Sequence, residues 1–198
     1  ARGVRVLLSN TDETSDKQRL YLEMLAAERV LGVILVPSAP AEPEIGRLIA
    51  EKCAPTMKRL VMELGGHAPL IMFDDADIER AVSIAVDAKF ATSGQDCLAA
   101  NRIYVQSGIY DRFCETFAAR VQALSGAHGL ADNAEIGPLM HERAVRKVEE
   151  HVADAIGRGA RCLAGGRRHA AGPLFHEPTL LADVPDDALI MREETFGP

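Results

Sequence analysis

One cysteine stands where a reactive thiol would be displayed. In SGQDCLAANRIYV, residues 93 to 105, Cys97 follows Gly94, Gln95 and Asp96 and precedes a β-branched run. That places it in a polar turn at the mouth of an expected strand. A structural cysteine is usually flanked by apolar neighbours, whereas a nucleophile must reach solvent and substrate. Two carboxylates lie in short glycine-bearing motifs on either side of it. Glu63 sits in MELGGHAP, 97 − 63 = 34 residues earlier, and Glu194 in EETFGP, 194 − 97 = 97 residues later. Taken singly, a glutamate before two glycines reads as a strand end and a Glu-Glu pair as a solvated surface. They are candidates only in the sense that a carboxylate near a displayed thiol could act as base or hydrogen-bond acceptor.

The other titratable residues read as structural. Cys53, Cys114 and Cys162 are widely spaced and form no CxxC pair, so metal ligation is unsupported. Cys114 shares the apolar side of a helix with Tyr110, Phe113 and Phe117, and Cys53 and Cys162 read as small buried hydrophobes. His141 is expected to cap a helix or face water. His151 lies within that helix, and no HExxH spacing gives either histidine a metal role.

Alternating elements must position these groups. VRVLLSN and GVILVPS read as strands flanking a helix over SDKQRLYLEMLAAERV, a βαβ unit with a right-handed crossover. A proline-rich join, APAEPEI, leads to a helix that Pro55 ends. KRLVMEL and APLIMF read as strands around Gly65 and Gly66, then DADIERAVSIAVDAKFAT as a helix and NRIYVQ as a strand. Helices follow over GIYDRFCETFAARVQAL and HERAVRKVEEHVADAIGRG, the latter striped by Val145, Val148, Val152 and Ile156. Short strands and turns finish the chain. The pattern is an α/β fold with a mostly parallel sheet and flanking helices.

The 198 residues carry a net charge of −7, with 47% hydrophobic and 26% charged residues, the balance of an ordinary globular protein. A nucleic-acid partner is not expected, because GGRRH is the one basic cluster. A membrane partner is not expected either, since no apolar run reaches spanning length and the start lacks a signal peptide's pattern. Unpaired cysteines fit a reducing, cytoplasmic setting.

Glu63, Cys97 and the Glu194–Phe196 stretch, with EIGRLIAEKCAPTMKRL, FDDADIERAV and AEIGPL, resemble the aldehyde dehydrogenase superfamily from about Glu44 to Pro198. The flavour is similar to bacterial succinate-semialdehyde dehydrogenases. The resemblance implies that Cys97 attacks an aldehyde carbonyl to give a thiohemiacetal. Hydride then passes to NAD or NADP and leaves a thioester. Glu63 is implied as general base, able to swing beside two glycines, and the Cys97 N–H as an oxyanion donor. Glu194 is implied to hydrogen-bond the nicotinamide ribose, and Phe196 to pack near the ring. A small aldehyde is the implied partner, and a homo-oligomer is compatible. Two departures stand out: His67 replaces the usual lysine or asparagine, and Asp96 replaces a common threonine. An aspartate beside Cys97 should disfavour its thiolate.

The first forty residues resemble instead the sugar-receptor domain of lactose-repressor-type regulators and periplasmic binding proteins over about 1–38, with Leu31 where aspartate is usual. The expected domains are therefore a βαβ fragment over 1–40 and an aldehyde dehydrogenase catalytic-domain-like part over 41–198, truncated at its C-terminus and joined as a chimera. The family's Gly-Ser-Thr-x-x-Gly phosphate turn keeps only its last glycine, Gly46. Glu42 and Pro43 put a charge and a missing donor where a pyrophosphate would dock, so cofactor binding is expected to be impaired. The asparagine completing the family's oxyanion hole has no counterpart. The expectations are an oxidoreductase fragment, with full turnover or with residual esterase activity alone, a sugar-binding module, or a folded chimera without activity.

Overall fold

A computed structural model describes residues 15–28, 30, 32–35, 43–62 and 65–198. The chain divides into two compact units, Ala1–Leu64 and Gly65–Pro198.

In the first unit, helix α1 spans Ser15–Ala27 and α2 spans Pro43–Cys53, followed by a single 3-10 turn over Ala54–Thr56. Pro43 opens α2, the position a helix tolerates best for a residue lacking N–H, and Pro55 stops it as expected. The helix of the expected βαβ unit is present, but residues 1–14 and 36–40, which hold most of its strands, lie outside the described residues. The described part of the second strand, 32–35, is not in a ladder, and Ile34 is 96% exposed. Residues 58–62 of the expected strand KRLVMEL likewise form no ladder among the described residues, with Val61 87% exposed. An apolar β-branched run becomes a strand only where a neighbour accepts its backbone groups.

The second unit is built around one parallel pair. Strand β1, Pro69–Met72, pairs with β2, Arg102–Val105, in the register Pro69↔Arg102 through Met72↔Val105. Helix α3, Ile78–Phe90, makes the crossover. Its buried residues Ile78, Ala81, Val82, Ala85 and Val86 recur at helical spacing, and the Asp77 carboxylate caps it by accepting from the Arg80 N–H at 2.9 Å. Helix α4, Tyr110–Gln122, lays Phe113, Phe117 and Val121 into the same core beside Met72 and Phe90.

Helix α5, Glu142–Gly157, buries Val145, Val148 and Val152 against Leu139. His141 caps it, Nδ1 accepting from the Ala144 N–H at 3.0 Å. Arg168 reaches back to Glu142 and Glu149, one turn pair apart on α5. Strands β3, Arg161–Ala164, and β4, Leu180–Ala182, pair antiparallel, and α6 spans Leu189–Arg192. The α/β class thus holds, with one parallel and one antiparallel pair among the described residues. Cys162 departs from its expected burial: it lies exposed on β3, its Sγ 3.3 Å from the Ala164 carbonyl.

Candidate active site

Three chain segments meet at a pair of glycines. Gly65 takes φ +83°, a left-handed conformation that glycine reaches without strain. The Gly66 N–H donates to Glu194 Oε1 at 3.1 Å. On its other side Gly66 abuts the cysteine turn so closely that a Cβ there would stand 1.9 Å from the Cys97 carbonyl oxygen. Any side chain at 66 would have to displace backbone. The motifs holding Gly66, Cys97 and Glu194 therefore share one site, although its ends are 194 − 66 = 128 positions apart in sequence.

The cysteine turn is shaped by its backbone. After α3 ends, Thr92, Ser93 and Gly94 take φ of +55°, +59° and +68°, three left-handed residues in succession. For threonine and serine this conformation is uphill and persists only where the surroundings enforce it. Those surroundings are visible. The buried Ser93 hydroxyl accepts from the Gly137 N–H at 2.7 Å. Gln95 bridges the same loop, donating to the Pro138 carbonyl at 3.2 Å and accepting from the Met140 N–H at 2.9 Å. Asp96 turns its Oδ1 onto the Leu98 N–H at 2.8 Å. Cys97 emerges half-buried.

A lysine ties this turn to the third segment. Lys89 Nζ donates to Asn101 Oδ1 at 2.6 Å and to the Gly197 carbonyl at 2.7 Å. Its stem is partly exposed, but the ammonium is enclosed, and burial lowers its pKa to about 8. Gly94 sits at the crossing, where a Cβ would come 2.3 Å from the Gly197 carbonyl. Arg102 donates twice to the His67 carbonyl, at 3.1 and 2.6 Å, which locks the strand after the glycines. Burial, then the Arg102 and Lys89 cations and His151, hold the His67 pKa below its usual value, against a hydrogen bond that the ring donates to the Glu193 backbone carbonyl. His151 is fully buried, its Nδ1 3.4 Å from Thr195 Oγ1, and burial lowers its pKa too.

Cys97 and Glu194 are thus brought to one place, and Phe196, half-buried with φ +53°, lies in the segment that Lys89 holds. Gly46 lies in α2 of the first unit. Glu63 lies outside the described residues. Lys89, Asn101, Gln95 and Ser93 were not singled out from the sequence. Lys89 is followed by Phe90 and a polar turn, so in one dimension it looks like an ordinary cation on a helix's last turn. Among the described residues no group of three or more His, Cys, Asp or Glu could hold a metal ion.

The comparisons with known proteins bear on the same stretches. The aldehyde dehydrogenase family matches residues 18–198. The NADP(+)-linked succinate-semialdehyde dehydrogenase GabD of Escherichia coli K12 is 52% identical over 155 residues, 78% of this chain and 32% of its own length. A mitochondrial succinate-semialdehyde dehydrogenase of Oryza sativa subsp. japonica is 40% identical over all 198 residues, covering 36% of its length. The crystal structure of succinate-semialdehyde dehydrogenase from Burkholderia pseudomallei superposes with a TM-score of 0.74 at 39% identity, covering 92% of this chain and 42% of that one. The chain thus spans about a third of the curated relatives it matches. The family match begins at residue 18, inside the stretch 1–38 likened to a sugar receptor, and the rice relative aligns through it. The comparisons lend the sugar-receptor resemblance no support. What continues unbroken through all three converging motifs is one ancestry: this chain belongs to the aldehyde dehydrogenase family.

Proposed function

We propose that Cys97 is the nucleophile of an aldehyde oxidation, with succinate semialdehyde as the first substrate to try. The supporting observation is the junction at Gly66, where the cysteine turn and the Glu194 carboxylate close on the same two glycines. Cys97 thiolate adds to the aldehyde carbon, and the oxygen becomes an oxyanion within reach of backbone donors such as the Cys97 N–H. Glu63, three residues before Gly66, takes the proton first of the thiol and then of the water that opens the later thioester.

The proposed oxidation also needs a dinucleotide. At the nicotinamide end the residues fit: the Gly66 N–H engages one lone pair of Glu194, and a carboxylate has about four to offer. In the first unit, α2, where the resemblance puts the family's phosphate turn, begins with Pro43, which has no N–H to give, and Gly46 is only its fourth residue. Bound NAD or NADP would supply the hydride acceptor that this oxidation needs; by the resemblance Glu194 and Phe196 would hold its nicotinamide end, and Gly46 is the one glycine kept from the family's phosphate turn. NADP is the first choice, being the cofactor in the E. coli relative's name. The weak phosphate end favours an activity needing no dinucleotide, ester hydrolysis at Cys97, over full turnover. p-Nitrophenyl acetate hydrolysis by the wild-type chain and by Cys97→Ser tests the thiol, and NADPH formation with succinate semialdehyde tests the rest. Equal esterase rates would remove Cys97 as the nucleophile.

A further inference from the structure

Residues 193–197 carry two of the side chains assigned above to the cofactor, yet among the described residues this stretch enters neither strand pair. Outside a ladder, a segment takes its shape from side chains that reach it from elsewhere. Three titratable ones do so, each from a different place in the fold. His67, just ahead of β1, donates from its ring to the Glu193 backbone carbonyl. His151 of α5 spans two positions, its Nε2 3.5 Å from Glu193 Oε2 and its Nδ1 3.4 Å from Thr195 Oγ1. Lys89, in the last turn of α3, donates to the Gly197 carbonyl at 2.7 Å.

These contacts fall on alternate residues, 193, 195 and 197, and leave 194 and 196 to the site. Thr195 and Gly197 are buried, whereas Glu194 and Phe196 are half-buried. Phe196 has φ +53°, a conformation that a bulky residue keeps only where its surroundings enforce it. Both of its neighbours are fixed, Thr195 by His151 and Gly197 by Lys89. Gly197 is wedged as well as bonded, since a Cβ there would come 2.7 Å from Val148 Cγ2. Glu194 is held at two points by consecutive residues. The Gly66 N–H takes its carboxylate at 3.1 Å, and the His67 ring takes the carbonyl just before it. A glutamate on a free chain samples many rotamers; one so restrained has much of its ordering done before a ligand arrives.

We propose that His67, His151 and Lys89 are positioning residues: by fixing 193, 195 and 197 they set the aim of Glu194 and Phe196, and through it the affinity for the nicotinamide end of the cofactor. This rests on the reading of Glu194 and Phe196 given above. None of the three needs to touch the dinucleotide. Lys89 also grips Asn101, the residue before β2, so the segment is aimed against the frame that follows the cysteine turn.

The test uses the 198-residue chain, with amide exchange read by NMR. Exchange at Gly66 reports whether the Glu194 carboxylate still meets its N–H. Lys89→Met and His67→Ala should each speed it about tenfold or more, while His67→Asn, which keeps an N–H donor, should stay within about twofold of wild type. Asp77→Ala, which weakens only the α3 cap, controls for general loss of stability and should also leave Gly66 within about twofold. Either of the first two variants carries the readout if the other fails to fold. In NADPH fluorescence titrations His67→Ala should raise Kd at least about fivefold, but by less than about twofold on a Glu194→Ala background. Unchanged Gly66 exchange in Lys89→Met and His67→Ala overturns the proposal. So does equal acceleration in Asp77→Ala, or an undiminished effect of His67→Ala once Glu194 is replaced. A wild-type chain that binds no NADPH would sink the oxidation proposed for this site, and Gly66 exchange alone would then decide the positioning role.

Discussion

At the scale of single residues, burial acts on two groups of opposite kind, the Cys114 thiol and the Lys89 amine. Cys114 is the control for Cys97. Burial raises the Cys114 pKa, so it has little thiolate at neutral pH, whereas Cys97 sits in a polar turn. Iodoacetamide at pH 7.5 should label Cys97 before Cys114, as read by peptide mass spectrometry; the reverse order would remove the case for a displayed nucleophile. Replacing Asp96 by threonine should speed that labelling several-fold by taking a negative charge from beside the thiol. For Lys89 the sign is set by a folded pKa of about 8 against 10.5 in the unfolded chain. Between these values the unfolded state holds a proton that the folded state has released, so stability rises with pH through that window. The full span is about 3 kcal/mol, at 1.36 kcal/mol per pH unit. Urea unfolding from pH 7.5 to 10 should show this rise, and Lys89→Met should flatten it.

At the scale of elements, much of the second unit was legible in advance because its helices are amphipathic and its parallel strands are apolar throughout. Val145, Val148 and Val152 announce α5, and IYV announces β2. The misreadings share one cause, since a β-branched run says nothing about whether a partner edge is available. GVIL and the described part of KRLVMEL carry strand composition without a ladder, and Cys162 lies exposed because β3 shows that face to solvent. The site was legible as motifs but not as contacts. Nothing in MELGGHAP tells that the second glycine is needed because the Cys97 carbonyl presses on it. Gly66→Ala therefore tests the junction itself. With a Cβ 1.9 Å from that oxygen, the variant must shift backbone, and its cysteine-dependent esterase rate should fall at least about tenfold, a loss of 1.4 kcal/mol or more. An unchanged rate would mean that the two segments do not act together. Asp77→Ala, distant in the chain and acting only on the α3 cap, should cost about 1 kcal/mol in unfolding while leaving that labelling order intact.

At the scale of the whole molecule, buried histidines set the acid limit. His67, His151 and His176 all have pKa values lowered, chiefly by burial. Below the ordinary value of 6.5 the unfolded chain takes up protons that these folded rings refuse, so stability falls as pH drops through 6.5 and below. Carboxylates such as Asp154 and Asp183, whose pKa values are lowered by hydrogen bonds and arginine partners, lose their contribution only further down. Thermal unfolding should therefore shift downward already between pH 6.5 and 5, and His151→Leu should blunt that shift. A profile flat to pH 5 would contradict the burial of these rings. The chain's two units differ in kind as well. The buried hydrophobic side chains all belong to Gly65–Pro198, while among the described residues the first unit buries none.

The run of left-handed residues ahead of Cys97 has one more consequence. A side chain's aim is normally chosen among rotamers, each a thermal hop from the next. Here the orientation is written into the main chain by Thr92, Ser93 and Gly94, clasped from the far side by the 137–140 loop. Evolution could redecorate nearly every surface position around such a turn without disturbing where the sulfur is carried, provided the fold keeps enforcing three torsions that two of those residues would not choose alone.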